Sequence, residues 1–166
     1  MQRELPKRKR NRLYEYDYSQ AGFYFVTICV KDKHEMLGEI INNQLILNEY
    51  GLVVKQEIEN IPTIRKECII ENFVIMPNHI HLIVRIVGGD GNRPAASHRA
   101  DCHPPLHKSI PNMVQGFKGA VTRQIGFSLW QRSYHDRIIR DEEEYLRIWK
   151  YIDENPVKWA DDCYFI

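Results

Sequence analysis

The residues best suited to chemistry are two histidines separated by one residue, His79 and His81, in the segment MPNHIHLIV. The apolar, β-branched stretches 68–76 and 80–87 predict two strands joined at a tight corner. Side chains two residues apart in a strand share a face, so both imidazoles are expected to project together. Such a pair makes a platform for a divalent metal ion. Two hydrogen-bonded surface histidines are the alternative interpretation.

A third metal ligand has two possible sources in the sequence. The first is residues 88–111, a segment rich in Gly, Pro, Ser and His that we expect to be a mobile loop. Its candidate ligands are His98, Cys102, His103 and His107. Their spacing matches no zinc module that we recognise, so a plain His-rich loop is the favoured interpretation.

The second source is the last predicted helix. Asp141 as N-cap and Glu144 three residues later predict its start, and Asn155 followed by proline predicts its end. Tyr151 and Asn155 are four residues apart, so a phenol and an amide share one edge of this helix. That edge pairs a candidate nucleophile with a candidate ligand.

The remaining elements must position these side chains. A strand is predicted over 24–30, a hairpin turns at Asn42-Asn43, and a helix capped by Asn48 runs to about Asn60, where Pro62 ends it. A helix is predicted over 112–125 with Gly126 as its stop, and a strand over 130–139. This order of elements predicts an α+β fold, a ferredoxin-like sandwich of one largely antiparallel sheet with helices packed mainly on one face.

The composition predicts one globular domain over residues 1–166. The chain is 43% hydrophobic and 27% charged, which excludes a disordered chain, and its four cysteines form no CxxC pair. It has neither a signal peptide nor an apolar run near the roughly 20 residues of a membrane helix, so a cytoplasmic protein is expected. Residues 1–12 carry six basic side chains and one acidic, net +5, which leaves −4 of the total +1 for the rest. This basic arm is either a solvated tail or a phosphate-binding segment.

Three motifs occur in a fixed order along the chain: MPNHIHLIV, WQRSYHDRIIRDEEEY and YIDENPVKW. In this combination the chain resembles the REP-associated tyrosine transposases over residues 24–159. These are relatives of the small single-tyrosine insertion-sequence transposases in the His-hydrophobic-His (HUH) superfamily. The resemblance implies a ferredoxin-like catalytic domain that cuts and rejoins single-stranded DNA at imperfect palindromes.

The resemblance also implies roles for individual residues. His79 and His81 become metal ligands for Mg²⁺ or Mn²⁺, and Tyr151 becomes the nucleophile that forms a 5′-phosphotyrosine. Asn155 stands where the insertion-sequence enzymes have Gln, and it becomes the third ligand with a shorter reach. Tyr134 is the rival nucleophile.

The expected partner is a single-stranded DNA hairpin, bound by a monomer or a homodimer and without a membrane. The candidate DNA-binding residues are Arg8, Lys9, Arg10, Arg12, Lys118, Trp130, Tyr134, Arg137 and Arg140. The basic ones would hold phosphates, and the aromatic ones would stack on unpaired bases, although a place in the core is an equally good interpretation of Trp130. The alternative function is a non-catalytic hairpin-DNA binding protein of the same fold. An RNA-binding module is less well matched, because its central strands would carry exposed aromatic pairs where this chain has imidazoles.

Overall fold

The computed structural model describes residues 20–87 and 109–163. In chain order its main elements are β1 (Gly22–Cys29), β2 (Gly38–Ile41), β3 (Gln44–Leu47), α1 (Glu49–Ile64), β4 (Cys68–Met76), β5 (His79–Ile86), α2 (Ile110–Ile125), β6 (His135–Ile139) and α3 (Glu142–Glu154). Short 3₁₀ turns occur at Lys31–Lys33 and Trp159–Asp161. The basic arm and residues 88–108 of the predicted loop lie outside the described part.

Four strands form one antiparallel sheet in the order β4-β5-β1-β6. Helix α1, which follows the β2–β3 hairpin, connects β1 to β4, and α2 connects β5 to β6. The order β1-α1-β4-β5-α2-β6 is the ferredoxin-like βαββαβ arrangement. The predicted α+β fold class is therefore confirmed. Strands β2 and β3 form a separate two-stranded ribbon, which turns at Asn42 and Asn43 with φ of 51° and 61° as expected.

The two faces of the sheet carry different cores because side chains alternate along each strand. Even-numbered residues of β1 and β5, such as Val26 and Leu82, join the main core with α1 and α2. The opposite face bears α3 over a smaller cluster of Ile83, Ile139 and Ile152. The histidine pair lies on this second face, so α3 is the helix that can reach it.

Helix α1 begins as predicted and ends later. The Asn48 side chain accepts a hydrogen bond from the backbone N–H of Gly51 at 3.0 Å, which satisfies a free donor of the first turn. The prediction that Pro62 ends the helix is wrong, because the helix continues through it to Ile64. Proline costs this helix one backbone hydrogen bond. Burial of Ile58 and Ile61 beside the proline holds the last turn in place.

The predicted strand 130–139 is shorter in the structure, where β6 begins only at His135. Trp130 makes a single isolated bridge to Val30, and the chain then leaves the sheet before rejoining it. The Lys118 ammonium donates hydrogen bonds to the carbonyls of Gln131 at 2.8 Å and Ser133 at 3.0 Å. These bonds use backbone groups that a continuous strand would need for its ladder.

Helix α3 starts at the predicted cap. The Asp141 carboxylate accepts a hydrogen bond from the backbone N–H of Glu144 at 2.7 Å. The Glu144 carboxylate reaches back to the N–H of Arg140 at 3.0 Å, one residue before the position of a standard capping box. This reciprocal pair fixes where α3 begins, and therefore where Tyr151 stands.

Two further sequence expectations can be compared with the described residues. Cys29 and Cys68 are buried free thiols, as predicted. Within residues 20–87 and 109–163, no helix is long and apolar enough to cross a bilayer.

Candidate metal and nucleophile site

The two histidines are buried side by side at the start of β5. His79 and His81 are 0% and 1% exposed, and their Nε2 atoms lie 3.0 Å apart. Two ligand atoms about 2.1 Å from one ion and at right angles to each other are separated by about 3.0 Å. The spacing of the imidazoles therefore suits adjacent ligands of a single cation.

Each imidazole is held by a second side chain through its other nitrogen. Thr27 is the register partner of His81 across the β1–β5 ladder, and its Oγ1 lies 2.8 Å from His81 Nδ1. His79 Nδ1 lies 2.8 Å from Asn78 Oδ1, while Asn78 Nδ2 donates to the Lys33 carbonyl at 3.2 Å. Because this bond fixes Asn78 Oδ1 as an acceptor, His79 carries its proton on Nδ1 and leaves Nε2 with a lone pair.

Burial keeps both rings neutral. It lowers the pKa of His79 to about 4, partly offset by the negative charge of Asp162. The pKa of His81 falls well below its usual value because of burial and the neighbouring His79. Neutral imidazole is the form that binds a metal ion, so this environment favours ligation over protonation.

Tyr151 reaches the pair from α3. Its hydroxyl lies 3.2 Å from His81 Nε2, and 39% of the residue is exposed. The Phe25 ring stacks on His81 at 5.1 Å and meets the Tyr151 ring edge-on at 6.1 Å, which positions both groups. Burial and then the charge of Asp162 raise the pKa of Tyr151 to about 12, while a hydrogen bond from Asn155 opposes this rise. The phenol is therefore protonated near neutral pH.

Asn155 lies directly after α3 and is 2% exposed. Its Oδ1 is buried and has no hydrogen-bond partner. A buried amide oxygen without a partner is costly unless something else satisfies it, and a cation is one such group. The structure thus brings His79, His81 and Tyr151 together and places the Asn155 amide against Tyr151, and imidazole and amide donors suit a divalent cation.

The structure adds Asp162, a residue that the sequence reasoning missed. Candidate ligand atoms of His79, His81 and Asp162 all lie within 4.8 Å of one another. Asp162 follows the 3₁₀ turn Trp159–Asp161, which comes after the last predicted helix. No spacing rule relates it to the His pair, so only the tertiary fold shows this proximity.

An open groove of about 460 Å³ runs beside Tyr151 along α3. Among its lining residues, Arg147, Lys150 and Lys158 are cationic and more than half exposed. Both lysines approach the Glu154 carboxylate, at 3.6 Å from Lys150 and 2.6 Å from Lys158. Tyr151 therefore stands at the side of a groove with exposed cationic side chains.

The predicted DNA-binding residues differ in exposure and in whether the structure describes them. Arg137 and Arg140 are exposed near the start of α3, and Arg137 is paired with the buried Glu144 carboxylate at 2.5 Å. Arg8, Lys9, Arg10 and Arg12 lie outside the described residues.

Three predicted DNA contacts need correction. Trp130 and Tyr134 are only 5% and 9% exposed and belong to the main core. Because their rings pack inside the protein, stacking on bases does not fit this fold. The Lys118 ammonium is bound to two backbone carbonyls, so its structural role is to hold the segment before β6. Tyr134, the rival nucleophile, packs in the main core, whereas Tyr151 contacts the His pair.

The chain is thus an α+β protein with a ferredoxin-like sheet. Its candidate site is a buried His-x-His pair in a central strand, which faces a tyrosine on a helix. No family model matches the chain. An uncharacterised protein of Haemophilus influenzae is 43% identical over 169 residues, covering 96% of this chain and 93% of that protein. The two proteins therefore belong to one family.

Two further similarities are to proteins that carry functional names. A Haemophilus influenzae protein with the provisional name REP-associated tyrosine transposase is 28% identical over 146 residues, covering 87% of this chain and 76% of that protein. A solved structure of a REP-associated tyrosine transposase bound to a REP hairpin shares the fold with a TM-score of 0.65. It is 21% identical and matches 90% of this chain and 74% of that one. The chain is thus similar in sequence to one protein named as a REP-associated tyrosine transposase and in fold to another, and the resemblance inferred from the motifs is confirmed.

Proposed function

We propose that this protein nicks single-stranded DNA at imperfect palindromic hairpins and transfers the cut strand, with Tyr151 as nucleophile. The observation that carries the proposal is the 3.2 Å approach of the Tyr151 hydroxyl to the buried imidazole pair. Support also comes from the relative whose solved structure is bound to a REP hairpin. The site itself would process a DNA phosphodiester presented along the groove beside α3.

The covalent step follows from the chemistry of a phenol and a phosphodiester. The Tyr151 oxygen attacks phosphorus and loses its proton, the bond from phosphorus to the 3′ oxygen breaks, and a 3′-hydroxyl leaves with a proton. The 5′ phosphate then remains joined to Tyr151. The new ester conserves the energy of the broken bond, so a 3′-hydroxyl from another strand end can reverse the step and rejoin the DNA.

The metal part of the proposal rests on the donor set. His79, His81 and Asn155 would hold Mg²⁺ or Mn²⁺, since the two imidazoles are neutral and adjacent, and the amide of Asn155, which contacts Tyr151, has a buried oxygen without a hydrogen-bond partner. A bound cation would supply Lewis-acid polarisation of the scissile phosphate. Thr27 and Asn78 would keep the imidazoles in the ligating tautomer.

The protein also has to hold DNA beside the nucleophile. Arg137 and Arg140 remain the proposed phosphate contacts near the start of α3, and the basic arm remains a proposed contact with the hairpin. The groove side chains Lys150 and Lys158 are placed to neutralise phosphates next to the scissile bond. Their ion pairs with Glu154 are exposed and weak, so exchange for a phosphate is energetically easy.

The test is a covalent-adduct assay with Mn²⁺ and single-stranded hairpin oligonucleotides taken from repeats of the source genome. Tyr151→Phe is expected to abolish the protein–DNA band and to keep hairpin binding, because only the attacking oxygen is removed. Tyr145→Phe provides the same chemical change on the same helix and should retain the band, as should Tyr134→Phe.

Two results would contradict the proposal in different ways. An adduct that persists in Tyr151→Phe and disappears in Tyr134→Phe would reassign the nucleophile. Hairpin binding without any adduct in the wild-type protein would favour the alternative function, a non-catalytic hairpin-DNA binding protein of the same fold.

A further inference from the structure

We infer that Asp162 is a further ligand of the divalent cation, supplied by the segment after α3. This inference rests on the metal site proposed above and adds a residue to it. The donor atoms of Asp162, His79 and His81 lie within 4.8 Å of one another, close to the separation of about 4.2 Å between opposite ligands of one such ion. Asp162 is half-buried, and a carboxylate oxygen lies beside the two imidazoles.

The fold holds Asp162 in place through the residues on either side of it. Trp159 is buried, and its ring lies 6.0 Å from that of His79. The Asp162 N–H donates to the Trp159 carbonyl at 3.1 Å, and Lys33 Nζ donates to the Cys163 carbonyl at 3.4 Å. The segment after α3 is thus anchored on one side by an aromatic ring and on the other by the 3₁₀ turn after β1.

Charge gives Asp162 a role that the other donors cannot fill. The imidazoles of His79 and His81 are neutral, and so is the amide of Asn155. A carboxylate beside them supplies the negative charge that a hard divalent cation such as Mg²⁺ or Mn²⁺ prefers. Asp162 therefore contributes to the affinity for the ion, whereas Asn155 contributes a neutral oxygen.

The experiment measures Mn²⁺ binding to the metal-free full-length protein by isothermal titration calorimetry. Asp162→Asn keeps the shape of the side chain and removes its charge, and we expect the dissociation constant to rise at least tenfold. Asp161→Asn is the matched control. It makes the same change at the preceding, exposed residue and should bind Mn²⁺ like the wild type.

A spectroscopic readout makes the test independent of catalysis. Co²⁺ absorption in the visible range reports on the ligand set, so the spectrum of Asp162→Asn should differ from that of the wild type, while Asp161→Asn should not. Circular dichroism and the melting temperature of the metal-free variants verify that each is folded.

The outcomes separate this inference from the proposed function. If Asp162→Asn binds Mn²⁺ within twofold of the wild type and gives the same Co²⁺ spectrum, the ligand role of Asp162 is wrong and the His pair stands. If the wild type binds no Mn²⁺, or the His79→Ala His81→Ala variant binds it equally well, the proposed metal site itself fails.

Discussion

The hydrogen bond between Thr27 and His81 gives a sharp prediction, because a single hydroxyl contacts Nδ1 of one of the two proposed histidine ligands. Thr27→Val keeps the β-branched shape in a strand and removes that hydroxyl. Thr27 is 3% exposed, so His81 Nδ1 would be left without its partner and no solvent could replace it. Leaving a buried polar group unsatisfied costs about 1–3 kcal/mol.

The same change should affect metal binding. Without the Thr27 hydroxyl, His81 loses the bond that orients its Nδ1, and removal of such an orienting bond typically lowers metal affinity about 10–100-fold. Urea unfolding of the metal-free protein measures the first effect, and Mn²⁺ titration measures the second.

Thr63→Val serves as control, because Thr63 is exposed in α1 and far from the site in the fold. That variant should keep the wild-type stability to within about 0.5 kcal/mol, as is usual for surface substitutions. If Thr27→Val matched the control in both stability and Mn²⁺ affinity, the argument for a locked tautomer would be refuted.

Three other changes test the parts that support the site. Asp141→Ala removes the N-cap of α3 and should lower the free energy of unfolding by about 0.5–2 kcal/mol in a urea titration. Ile152→Ala leaves a cavity between α3 and the sheet and should lower the free energy of unfolding by about 2–5 kcal/mol in the same titration. Leu146→Ala, on the exposed side of that helix, should lower it little, and equal effects would contradict the assigned packing. Deletion of residues 1–12 should weaken hairpin binding and make it less dependent on salt. The slope of log binding constant against log salt concentration should become shallower by about 0.7 for each single-strand phosphate that the arm neutralises. An unchanged slope would identify the arm as a solvated tail.

Patterns that span only a few residues are sufficient to predict much of the fold. The period-two spacing of His79 and His81 predicts their common face, and the spacing of Asp141 and Glu144 predicts the start of α3. The positions of Tyr151 and Asn155 on one helix edge follow from the same kind of reasoning. These features depend on neighbours within a few residues, which the sequence displays directly.

The failures all involve contacts between distant residues. Ile58 and Ile61 pack into a core shared with the sheet and α2, which carries α1 through Pro62, and the sequence around Pro62 does not reveal those distant partners. Trp130 is an aromatic residue of ambiguous role in the sequence, and the fold places its ring against Phe117 of α2. Asp162 approaches the His pair only after the chain turns back at the end of α3, so its position depends on the complete fold.

The unequal sizes of the two cores have a consequence for how the protein becomes inactive on heating. The His pair belongs to the central strands, whereas Tyr151 belongs to a helix attached through few buried side chains. Segments with little buried apolar contact open at lower free energy than the whole molecule. Amide hydrogens of α3 should therefore exchange with deuterium faster than those of β1 and β5, and thermal inactivation should begin below the temperature at which the sheet unfolds.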